Sequence, residues 1–95
     1  RIVVSKRVCK QINRLPQNIQ AIAHRVKRAI ELDGPIRSEL PNFKKGKGVA
    51  NCYHCHLKRG NPTYVMVWKT TTKEGQEVEV CYVGTHEGAE YNRIR

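Results

Sequence analysis

The apolar residues of this chain change their spacing once, near residue 50, and that change limits the fold more than any other feature. Before it, Val8, Ile12 and Leu15 recur at i, i+4 and i+7, one face of a helix, with Ser5 placed to cap it. Pro16 ends that helix and can open the next, because the N–H it lacks would be unpaired in a first turn anyway. Ile19, Ile22, Ala23, Val26 and Ile30 form a second stripe, with Arg25, Lys27 and Arg28 pointing elsewhere, and Asp33-Gly34-Pro35 stops it. Two helices joined so tightly read as an antiparallel hairpin. After residue 50 the period is two. Residues 52–58, 63–70 and 76–83 are strands of an antiparallel meander, separated by turns at residues 59–62 and 71–75.

A β-branched run at residues 1–4 adds a first strand. The order β-α-α-β-β-β, with a short and partly helical tail over residues 84–95, predicts an α+β fold: a helical hairpin packed on one face of an antiparallel sheet. At 95 residues the chain supports one modest core, so residues 1–95 read as a single domain. In the middle strand Tyr64, Met66 and Trp68 share one face, assigned to the core beneath the helices, and Val65 and Val67 share the other. Between Pro35 and Ala50 periodicity is lost, and residues 43–48 read as a basic loop. They lack the G-x-x-x-x-G-K-[ST] pattern, so no nucleotide site is expected.

Charge narrows the partners. Lys and Arg number 18 against 8 Asp and Glu, a formal net charge of +10, and residues 1–30 hold Arg1, Lys6, Arg7, Lys10, Arg14, Arg25, Lys27 and Arg28 with no acidic residue. Such self-repulsion points to nucleic acid or an acidic protein as partner. No apolar run approaches the ~20 residues that span a bilayer, and no N-terminal secretory pattern is present, so no membrane role is expected. The cysteines, Cys9, Cys52, Cys55 and Cys81, are irregularly spaced and read as reduced thiols in the cytoplasm. Cys52-Tyr-His-Cys-His56 has the outline of half a zinc site. Alternation along a strand, however, puts its cysteines on opposite faces, and neither a metal nor a cofactor is expected.

The face of the sheet away from the helices carries the chemistry. His54 and His56, at i and i+2, project from one side of a strand. His86 follows the last strand, and Glu87 and Tyr91 lie just beyond it. Imidazole both takes and gives a proton near neutrality. Amid Lys44, Lys45, Lys47, Lys58 and Arg59, such rings suit cleavage of a ribose phosphodiester. One group deprotonates the 2′-hydroxyl, one protonates the departing 5′-oxygen, and cations stabilise charge on phosphorus.

Three stretches, residues 51–57, 64–68 and 80–91, resemble the C-terminal half of RelE-type toxins, and the segment around Leu15-Pro16 fits their N-terminal hairpin. These are mRNA interferases of toxin–antitoxin pairs. The resemblance implies a helical hairpin on a twisted antiparallel sheet and metal-free cleavage of mRNA, typically in the ribosomal A site, through 2′-hydroxyl attack. It also implies silencing by an acidic antitoxin that wraps the basic helices. His54 and His56 fall where RelE has two active-site lysines. His86 falls where RelE has a catalytic arginine and its YafQ relatives a catalytic histidine. Tyr91 matches an aromatic residue near the C-terminus that helps position or activate the reacting nucleotide. Val65 departs from the pattern, standing where RelE has an arginine, which leaves the phosphate clamp to Lys58, Arg59 or the 44–47 loop. The expected roles are His86 as general acid and His56 as general base, exchangeable, with His54 orienting the RNA or sharing the base role. The alternatives are a non-catalytic ParE-like toxin that poisons gyrase and a plain basic nucleic-acid-binding module.

Overall fold

Ser5 starts the first helix as its side chain favours: its hydroxyl accepts the Val8 N–H at 3.3 Å, and α1 runs Lys6–Asn13. The computed structural model describes residues 2–45, 51–60, 62–72 and 77–86; Lys47, Glu87 and Tyr91, with most of the expected tail, lie outside these. The second helix, α2 (Gln17–Asp33), takes Pro16 as its N-cap, one position earlier than the sequence placed it. Gln20 reaches back from α2 to the carbonyls of Asn13 and Leu15, at 3.3 and 2.9 Å, and so satisfies acceptors left over at the end of α1. Gly34 closes α2 with φ +95°, a conformation that any Cβ would strain.

Five strands form one sheet: β1 (Ile2–Val4), β2 (Lys44–Lys45), β3 (Cys52–Lys58), β4 (Tyr64–Thr70) and β5 (Val78–Thr85), in the order β1-β5-β4-β3-β2. The meander of β3, β4 and β5 is antiparallel as expected, while β1 joins the outer edge of β5 in parallel. The sheet is therefore mixed. Two further differences separate it from the sequence reading. Residues 44–45 are a strand rather than loop, pairing with Tyr53 and His54. Two lysines carry no period, and Phe43 just before them supplies the anchor: its ring lies 5.8 Å from Tyr53 and 6.0 Å from Trp68. The last strand starts and ends two residues later than expected, because Gly84 and Thr85 continue the ladder to Val65 and Tyr64.

β1 stops at Val4, level with Val80, and among the described residues no other strand continues along that edge of β5. Side chains of α1 take over that edge. Arg7 Nη2 donates to the Cys81 carbonyl at 3.4 Å, and Gln11 Oε1 accepts the Val83 N–H at 3.0 Å. A helix thus finishes a ladder that a strand begins, which ties α1 to one register on β5.

The core lies between the helices and one face of the sheet. Val8, Ile12 and Leu15, then Ile19, Ala23, Val26 and Ile30, pack against Tyr53, Cys55, Leu57, Met66, Trp68, Val80 and Val83. Trp68 is fully buried at the centre, and its indole N–H donates to the Pro35 carbonyl at 2.9 Å. That bond satisfies the ring's single polar atom and pins the chain leaving α2. No helix among the described residues is long and apolar enough to cross a membrane.

Candidate nucleolytic site

Strand alternation sorts β3 into two sets. Tyr53, Cys55 and Leu57 go under the helices, while Cys52, His54 and His56 face the other way. The two cysteines therefore lie on opposite sides of the sheet, as the sequence implied, and cannot share an ion. Burial pushes the Cys55 thiol up to about 12 and the Cys81 thiol to about 11, and raises Cys52 as well, so these thiols stay protonated near neutrality.

His86 sits at the end of β5, and its N–H donates to the Thr63 carbonyl at 2.7 Å, one step beyond the β4–β5 ladder. That bond brings its ring to 5.8 Å from the ring of His56, nearly perpendicular at 77°. Residues 30 positions apart in the chain thus meet on the face opposite the helices, with His54 one pleat along. Lys44 stands directly across from His54 on β2 and so faces the same side. Both imidazoles of β3 are held below their ordinary range. For His54 the causes are burial first, then the charges of His56, Lys44 and His86; for His56 they are burial, then His86, Arg59 and Lys44. Both shifts favour the neutral ring.

Of the expected RNA-binding cations, Lys44 and Arg59 reach this cluster, and Lys58 lines with Pro41, His56, Leu57 and Arg59 a groove of about 250 Å³ beside it. Lys45 is across from Tyr53, a residue of the helix-covered side, so it does not join them. Lys47 and Tyr91 lie outside the described residues.

Two neighbours escaped the sequence reading. Asn42 has φ +53°, and its amide bridges His56 Nδ1 at 3.0 Å and Arg59 at 2.8 Å. The available signal was an Asn in a non-periodic stretch, the residue type that best tolerates this backbone. Tyr82 lies across Gly84, where a Cβ would come within 2.6 Å of its hydroxyl, and that hydroxyl donates to the Thr85 carbonyl at 2.8 Å. The face is also less open than its polar residues imply. Val65 and Val67 are fully buried, and Val67 is enclosed by Cys52, Cys81 and Tyr82. A bulge opposite Val67 turns both Cys81 and Tyr82 toward this side, which is how an extra apolar group arrives there.

No protein-family model and no curated protein sequence matches the chain. Solved structures do. The isolated E. coli RelE toxin superposes with a TM-score of 0.68 at 20% identity, over 96% of this chain and 88% of that one. An arginine-to-alanine double mutant of the same toxin in its free state gives 0.74 at 20% identity, over 98% and 90%. The chain has the RelE fold.

Proposed function

We propose that this chain, built on the fold of RelE, is an endoribonuclease toxin that cleaves mRNA on the ribosome and is silenced by an acidic antitoxin bound to its basic helices. The meeting of His56 and His86 beside His54, flanked by Lys44 and Arg59, carries the reading. In the reaction, a neutral imidazole of β3 takes the proton of a ribose 2′-hydroxyl, whose oxygen attacks the adjacent phosphorus. The P–O5′ bond breaks, and His86 gives its proton to the departing oxygen, leaving a 2′,3′-cyclic phosphate and a free 5′-hydroxyl. Lys44 and Arg59 stabilise the added negative charge on the phosphoryl oxygens. Imidazoles carry both proton transfers, so no metal enters these steps. Messenger, ribosome and antitoxin place the protein in the cytoplasm.

Primer extension on a translated message tests this. Wild type should break the message within codons, and His86→Ala should cut about 10²- to 10⁴-fold more slowly while unfolding at the same denaturant concentration. Equal cutting by the variant removes His86 from the chemistry. Growth arrest without cutting by either protein favours gyrase poisoning in its place. RNA or ribosome binding should weaken steeply with added salt, as phosphate contacts require.

A further inference from the structure

We infer that Asn42 is a positioning residue whose amide, locked by Arg59, holds His56 in the tautomer that carries its proton on Nε2. The argument starts from donors and acceptors. A guanidinium has only donors, so the Asn42 atom 2.8 Å from Arg59 Nη2 must be the carbonyl oxygen. The amide nitrogen is then the atom 3.0 Å from His56 Nδ1, and an –NH₂ group can only donate there. Nδ1 is therefore the acceptor, and a neutral ring keeps its proton on Nε2, the nitrogen turned away from Asn42. Reversing the amide would turn its –NH₂ toward Arg59 and leave donor facing donor.

The backbone supports the same reading. Asn42 adopts φ +53°, uncommon outside glycine, one residue beyond the Pro41 carbonyl that accepts the His56 N–H at 2.9 Å. Backbone and side chain of consecutive residues thus grip one histidine. A bulge after His56, where the β3–β4 register shifts before Lys58, marks the same point of the strand.

The consequence deepens the nuclease reading and rests on it. A ring whose Nδ1 is engaged and whose Nε2 carries the proton offers the substrate a donor, not a base. His56 then hydrogen-bonds a phosphoryl oxygen, and proton abstraction from the 2′-hydroxyl falls to His54, its neighbour on β3. The base role that the sequence assigned first to His56 moves by two residues. The titratable and charged groups near His56 are His54 on its own strand, Lys44 from β2, Arg59 beyond β3 and His86 beyond β5, and the charges of His86, Arg59 and Lys44 favour the same neutral ring.

Nitrogen-15 spectra of the imidazoles test the assignment, recorded through a pH titration of wild type, Asn42→Gly and Asn42→Asp. Glycine keeps the backbone conformation accessible and removes the amide. Aspartate keeps the shape and presents only acceptors. Wild type should show neutral His56 protonated on Nε2. Asn42→Gly should mix the tautomers. Asn42→Asp should move the proton to Nδ1, raise the titration midpoint of His56, and slow cleavage about 10- to 100-fold with KM unchanged. A wild-type ring protonated on Nδ1, or a tautomer unmoved in Asn42→Gly, overturns the inference. Tautomers that shift as expected in a protein that cuts no RNA uphold the clamp and overturn only the nuclease reading.

Discussion

The two faces of the sheet are made by the same strands and the same alternation, yet they do opposite work. The helix-covered face receives Tyr53, Leu57, Met66 and Trp68, large groups that interlock with both helical stripes. The other face receives His54, His56, Gly84 and His86 beside a small cluster of Val67 and Cys81. On the first face side chains are chosen for volume, and removing one leaves a cavity. On the second, His54, His56 and His86 serve protons and charge, and removing one of these rings leaves a working scaffold. The difference teaches that alternation tells which residues act together, while the helices decide which set becomes core.

Three measurements can break or sharpen that contrast. Trp68→Ala should have the largest effect on stability, about 3–5 kcal/mol in denaturant unfolding, because it empties the centre of the core and frees the Pro35 carbonyl. A loss below about 1 kcal/mol would mean that the helices do not depend on this face. Gln11→Leu should cost about 1–3 kcal/mol, since it keeps the bulk but strands the Val83 N–H at the edge that β1 leaves uncovered. Slow amide exchange at Val83 in the variant would contradict that hydrogen bond.

The smallest effect belongs to the histidine face. His54→Gln should change stability at pH 7.5 by about 1 kcal/mol or less. It should also flatten the acid side of the stability curve. Burial and neighbouring charges hold His54 and His56 below their ordinary range, so the unfolded chain takes up protons below about pH 6.5 that the folded chain refuses. Stability is full above that pH and falls as the pH drops toward the lowered folded values. Thermal unfolding at a series of pH values would read this directly; an unchanged acid slope in His54→Gln would take His54 out of the account.

Much of this was legible in residue spacing. Ser5, Pro16 and Gly34 marked the start of α1 and both ends of α2 to within one residue, because caps and breakers act locally. The end of α1 is Asn13, two residues before the Leu15 that the spacing had put on it. The alternation of residues 52–58 correctly separated His54 and His56 from Tyr53, Cys55 and Leu57. β2 was not legible: a two-residue strand has no period, and its anchor, Phe43, acts through contacts with Tyr53 and Trp68. Asn42 was hidden for the same reason. A lone amide in an irregular stretch becomes informative only when His56 and Arg59 are brought to either side of it.

Local pattern alone settled both helices, the three long strands and which side chains of residues 52–58 share a surface, since those follow from backbone preferences and solvent within a few residues. Folding in three dimensions decided the rest. It placed β1 alongside β5 rather than beside its chain neighbours, let α1 complete an unfinished edge, and set the rings of His56 and His86 5.8 Å apart. Such meetings depend on the summed packing of a whole core, and no window of neighbouring residues contains that sum.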